Sequence, residues 1–211
     1  LLKKFDAISV RERSAIDLVD AYLNRSDAVH VLDPTMLLTK EQYRNIIKAQ
    51  KTEMSPGSLN VYVLDKNPNK EAFIANIEKK LRLKRFEIIP QKRLETDRVQ
   101  SSSMIDFQYP HPASWLKAFE DAEFVITDSF HGTLFSILYN VPFITLGNEH
   151  RGMARFKSLL ETFNLSERLV EDFNTESINS LLEKRVNWKE VNKIIKLKRV
   201  ESLDFLEKAL N

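Results

Sequence analysis

Cysteine is absent from all 211 residues, which removes disulfides, a thiolate nucleophile and Cys-ligated zinc together. That absence fits a reducing compartment, so the expected location is the cytoplasm. No apolar run approaches the roughly 18 residues of a membrane span, and the opening "LLKKFDAISV" has neither an initiator Met nor a signal-peptide pattern. The chain is therefore expected to be a piece of a longer protein without an integral membrane segment. Neither charge sign dominates: 32 Lys and Arg face 30 Asp and Glu, a net +2. Such a balance gives no global field of the kind that attracts nucleic acid or a membrane surface, so any basic site must be local. Neither H-E-x-x-H nor a dense carboxylate cluster occurs, and no metal is expected. Glycine is scarce as well, with four in the chain.

What is present is enough for a core, since 43% of residues are hydrophobic. Short β-branched or apolar runs alternate with segments of helical period, the pattern of an α/β fold with a mostly parallel sheet. Strands are predicted at 5–10, 28–34, 59–65, 85–89, 123–128 and 142–146. Helices are predicted at 11–23, 40–50, 69–82, 112–122, 132–140, 152–164 and 176–185. Pro34 stops the second strand, and "EMSPGS" supplies a turn before the third. From 187 the chain reads as one long amphipathic helix or a broken pair. Its Val191, Ile194, Ile195, Val200, Leu203, Leu206 and Leu210 follow a helical stripe only loosely, and its lysines read as a solvated face rather than a nucleic-acid contact. His30 reads as a packed strand residue and His111 as a loop residue between prolines. No internal repeat or low-complexity tract occurs.

Three of the four glycines and two of the four histidines fall within "TDSFHGTLFSILYNVPFITLGNEHRGMARF", residues 127–156. In an open parallel sheet, ligands sit beyond the carboxyl ends of strands, where the next helix aims its N-terminal N–H groups outward. Strand 123–127 would deliver Asp128 and Ser129 to that rim, with Gly132 and Thr133 opening a helix whose dipole favours an anion. His131 at that helix start is the leading candidate for proton transfer or phosphate contact, because the dipole disfavours imidazolium. Asp128 reads either as a cap or as the group that orients His131, and the plain structural alternative is a capped helix without chemistry. After the next strand, "GNEHRGMARF" places Arg151 and Arg155 at another helix start, between Gly147 and Gly152, with His150 beside them. Guanidinium groups suit carboxylate or phosphate through paired hydrogen bonds. Two helix starts and two arginines describe a site for a small, highly charged anion.

These residues resemble the polysaccharide pyruvyl transferase family, whose members carry a similar D-S-x-H-G segment followed by N-x-x-R-G-x-x-R-F. The likeness is specific over roughly residues 112–170. It extends more weakly to "ISVRER" (8–13) and "VLDPTMLL" (31–38). The resemblance implies the C-terminal half of a glycosyltransferase-B-type fold of two Rossmann-like halves, each a parallel sheet with flanking helices. Residues 1–38 would then end the first half, 39–186 form the second, and 187–211 make a helical tail. It also implies transfer of pyruvate from phosphoenolpyruvate to sugar hydroxyls of a surface or capsular polysaccharide, or of its precursor, as a ketal. No cofactor is implied beyond that donor. The acceptor would be a carbohydrate, lipid-linked or not, met in the cytoplasm or at the inner face of the membrane. Catalytic roles would fall to His131 and Asp128, and substrate contacts to Arg11, Ser129, Gly132, Thr133, His150, Arg151 and Arg155. A nucleotide-sugar glycosyltransferase and a non-catalytic glycan-binding module are the competing expectations.

Overall fold

The computed structural model describes residues 4–50, 52–89, 107–149, 152–173 and 178–211. They divide into two compact units, one formed by residues 40–143 and the other by 1–39 together with 144–211.

In the 40–143 unit, α2 (Lys40–Ala49) precedes β3 (Leu59–Tyr62), α3 (Pro68–Leu81) and β4 (Arg85–Phe86). Helix α4 (Pro112–Asp121), β5 (Phe124–Thr127) and α5 (Phe130–Tyr139) follow. The strands are parallel in the order β4-β3-β5, with Leu59 opposite Arg85 on one side and Phe124 on the other. Leu59, Asn60 and Val61 are fully buried, as a strand covered on both faces must be. The helices start where side chains satisfy their first N–H groups. Asn67 accepts from Lys70 N at 2.9 Å with Pro68 next in line, His111 Nδ1 accepts from Ala113 N at 3.1 Å, and Ser129 caps α5. His111, expected in a loop, is thus the N-cap of α4. Over one face lies an aromatic cluster: Trp115 is 4.5 Å from Phe119, 5.1 Å from Phe135 and 5.6 Å from Tyr62, ring centre to ring centre. Tyr43 reaches Phe135 edge-on at 5.0 Å, a favoured aromatic geometry.

The other unit contains β1 (Ser9–Val10), α1 (Ser14–Leu23) and β2 (Val29–His30), a parallel βαβ unit with Ser9 opposite Val29. A short 3₁₀ turn, Pro34–Leu37, follows. Strand β6 (Phe143–Leu146), at whose start the division falls, pairs in parallel with β7 (Leu169–Val170) through α6 (Met153–Thr162). Phe156, Leu159, Leu160 and Phe163 form the buried face of α6, as their spacing predicts. Two helices close the chain, α7 (Ile178–Glu183) and α8 (Trp188–Leu210). Helix α8 is unbroken and returns to the 29–38 segment: Ser202 Oγ accepts from Leu32 N at 3.0 Å, and Arg199 Nε donates to Met36 O at 2.9 Å. Those contacts explain why the tail joins the N-terminal residues. Buried Arg168 donates to the carbonyl oxygens of Leu181 and Lys184, which end α7.

Several strands are shorter than the apolar runs that predict them. Strand β3 stops at Tyr62 because the N–H groups of Leu64 and Asp65 are taken by a side chain, that of Asp128. The 28–34 run yields only a two-residue strand because Asp33 caps the 3₁₀ turn, accepting from Thr35 N at 3.0 Å. Strand β7 and its preceding 3₁₀ turn, Ser166–Arg168, had no apolar run to mark them. Among the described residues, no helix is long and apolar enough to cross a membrane.

Candidate functional site

The carboxyl end of β5 passes into α5 within three residues, and the sequence dictates how. Thr127 is buried at the strand end, where its hydroxyl donates to Tyr62 O at 2.7 Å and accepts from Ser129 N at 3.0 Å. Ser129 then turns out of the sheet and caps α5, its Oγ accepting from Gly132 N at 3.4 Å and its carbonyl from Thr133 N at 3.0 Å. Thr133 Oγ1 donates to the same carbonyl at 3.1 Å. Helix α5 therefore opens at Phe130, two residues earlier than predicted, with His131 in its first turn.

Gly132 has a packing reason to be glycine. A Cβ there would lie 2.3 Å from Thr127 Oγ1, so the missing side chain lets the first turn of α5 sit against the end of β5. The close approach at Gly132 is to the Thr127 side chain.

Asp128 is fully buried. Its carboxylate accepts from Leu64 N at 2.6 Å, from Asp65 N at 3.0 Å and from the ammonium of Lys70 at 2.7 Å. The capping role belongs to Ser129, while Asp128 holds the β3–α3 turn against the end of β5. Lys70 is itself only 4% exposed and also donates to Asp65 O at 3.0 Å. A buried ion pair of this kind persists when further hydrogen bonds satisfy its oxygens and protons, as they do here. Sequence reasoning missed Lys70, Asn67 and Thr127. The available signal was a lysine at the start of a helix that follows a buried strand, but nothing local reveals its partner.

From Phe124 to Tyr139 every residue is buried or nearly so except His131, which is exposed. Its ring meets Phe130 edge-on, 5.4 Å between centres. Thus the element that carries the D-S-x-H-G segment presents one titratable side chain outward from the first turn of a helix, where the dipole favours negative charge. Asp128, Ser129, Gly132 and Thr133 come together around it as the scaffold of that turn.

The remaining candidates belong to the other unit. Arg11 follows β1 and pairs with Asp33, which is 3% exposed at its side chain. Parallel pairing of β1 with β2 thereby joins the "ISVRER" and "VLDPTMLL" segments through one ion pair. Arg155 lies in the first turn of α6, half-buried, with its guanidinium 5.8 Å from the centre of the Phe156 ring. Gly152 precedes it at φ +79°, a conformation costly for any residue with a Cβ. Lys157 pairs with Glu171 at 3.1 Å on the surface. His150 and Arg151 lie outside the described residues. No group of three or more His, Cys, Asp or Glu side chains among the described residues is arranged to hold a metal ion.

Parallel strands and flanking helices define an α/β protein, and its strand-to-helix rim with an exposed histidine is a candidate site of the helix-start type. The polysaccharide pyruvyl transferase family model matches residues 1–150, more than half of the chain. The chain belongs to that family. No curated protein sequence matches it. Among solved structures it is similar to one described as the glycotransferase of kitacinnamycin, at 11% identity and a TM-score of 0.44, over 76% of this chain. The chain spans 45% of the length of that one.

Proposed function

We propose that the protein transfers pyruvate from phosphoenolpyruvate to two hydroxyls of a sugar in a polysaccharide or its precursor, forming a ketal. The observation that carries this reading is the solitary exposure of His131 at a helix start, within a segment that the family model covers. Phosphoenolpyruvate is a compact multiple anion, and helix starts are suited to such ligands.

The chemistry requires a proton at C3 of the donor, which makes C2 electron-poor. One sugar hydroxyl attacks C2, the C2–O bond to phosphate breaks, and the second hydroxyl closes the ring. Two protons leave the hydroxyls; one goes to C3 and one to the departing phosphate. In this reading His131 moves a proton or contacts the phosphate, with Ser129, Gly132 and Thr133 shaping the turn that receives it. Asp128 acts through Lys70 and the β3–α3 turn as a positioning residue. Arg11 and Arg155, with His150 and Arg151, are proposed contacts for the donor's phosphate and carboxylate.

Thermal unfolding with millimolar phosphoenolpyruvate, and with inorganic phosphate and a nucleotide diphosphate as controls, tests the donor. Binding to the native state raises the transition temperature. The expected result is a rise with phosphoenolpyruvate that the His131→Ala variant loses. In the full protein the same variant is expected to lose about 10²–10⁴-fold in turnover, the usual contribution of a general acid or base. Near-normal turnover would remove His131 from the mechanism, and a rise with the nucleotide alone would favour a nucleotide-sugar transferase.

A further inference from the structure

At the opposite end of β5 from His131, the last turns of α2 and α4 border an open pocket of about 410 Å³, a size typical of small-molecule sites. Arg44 and Lys48 of α2 line it with Thr52, and Lys117, Glu120 and Asp121 of α4 complete the wall. Its hydrogen-bonding capacity is unevenly used. Asp121 accepts from Lys117 at 2.5 Å and from Ser55 N at 3.0 Å, and Glu120 Oε1 accepts from Arg44 Nε at 2.6 Å. The terminal nitrogens of Arg44 and the ammonium of Lys48 make no hydrogen bond among the described residues. Thr52 Oγ1, in the pocket wall, is buried without a partner. A buried hydroxyl left without a partner is destabilising and uncommon, so it calls for an occupant that hydrogen-bonds.

Charge decides what kind. Three cations face two carboxylates, and the C-terminal ends of two helices add roughly half a negative charge each. The sum is near zero, so the pocket has little attraction for a free anion, yet it offers more donors than it uses. A hydroxyl group answers both conditions: its oxygen accepts from Arg44 or Lys48 while its proton goes to Glu120 Oε2. Ile47 and the aliphatic stems of Lys48 and Lys117 supply apolar contact for ring carbons.

The geometry points to a second binding site, for a neutral polyhydroxylated ligand of sugar size, between the ends of α2 and α4. It is independent of any role for His131 and of phosphoenolpyruvate, and its test uses neither. ¹⁵N-labelled chain is titrated with D-glucose, D-galactose and lactose, and separately with inorganic phosphate, while amide shifts are followed. Saturable shifts at Lys48, Thr52, Lys117 and Glu120 with a sugar are expected. Thr52→Val and Lys48→Met should each weaken them about five- to tenfold, as loss of one hydrogen bond does. Both variants should leave the melting temperature near that of the parent, and Lys48, being on the surface, guards against a folding artefact at Thr52. Shifts confined to Ser129–Thr133, shifts produced by phosphate alone, or no saturable shift with any of the sugars would overturn the site.

Discussion

Gly132 and Thr127 show how one residue fixes the geometry of the candidate site. Alanine is the better helix former by about 1 kcal/mol, but its methyl group would meet a threonine hydroxyl already held on two sides. Overpacking of this kind costs about 1–3 kcal/mol, so Gly132→Ala is expected to be destabilising, read as a lower urea midpoint with an unchanged slope. Asp128 and Lys70 form the second critical pair. Lys70→Met removes the ammonium group from a fully buried carboxylate, and a loss of about 3–5 kcal/mol is expected for breaking such a pair. In a double-mutant cycle with Asp128→Asn, the combined loss should fall short of the sum of the two single losses. Additive losses would mean that the two groups do not act together. His131 and Gly132 were legible in the sequence because a histidine and a scarce glycine share one segment. Lys70 was not, because its partner lies 58 positions away.

Among the elements, the helices follow their signals closely. Asn67-Pro68 opens α3, His111-Pro112 opens α4, and Ser129 opens α5. Helix ends are equally local: Asn24, Asn140 and Arg82 take left-handed conformations at the C-caps of α1, α5 and α3. Asparagine tolerates that conformation, whereas arginine gains nothing from it. Arg82→Gly is therefore expected to stabilise the protein by about 0.5–1 kcal/mol, measured as a higher melting temperature, while Arg82→Val should lower it. Strand limits were less legible than helix limits. An apolar run states what is buried, but where pairing stops depends on which group takes the next N–H, as Asp128 does beyond Tyr62. The 3₁₀ turn and β7 at 166–170 illustrate the same point, since two residues of strand carry too little pattern to see.

At the scale of the whole molecule, pH couples charge to stability through His30. Burial, with repulsion from Arg13 and Lys198, holds this imidazole below its ordinary value of 6.5, and a hydrogen bond to the Arg11 backbone opposes this only in part. Below about 6.5 the unfolded chain therefore binds the proton more readily than the folded one. Stability is complete above that value and declines as the pH falls through it, until the folded imidazole also protonates. The expected result is a urea midpoint that drops between about pH 7.5 and pH 5.5, with a smaller drop in His30→Gln. An equal drop in the variant would assign the effect to other groups. The sequence by itself determined the α/β class, the absence of thiol chemistry, the order of elements and the segment in which a histidine meets a helix start. Each of these rests on composition, period or spacing, which act locally along the chain. Tertiary structure alone decided that Asp128 is held by Lys70, that Gly132 makes room for Thr127, that Arg11 meets Asp33, and that α8 returns to the 29–38 segment. Those are contacts between residues distant in sequence, and only packing brings such partners within reach of a hydrogen bond.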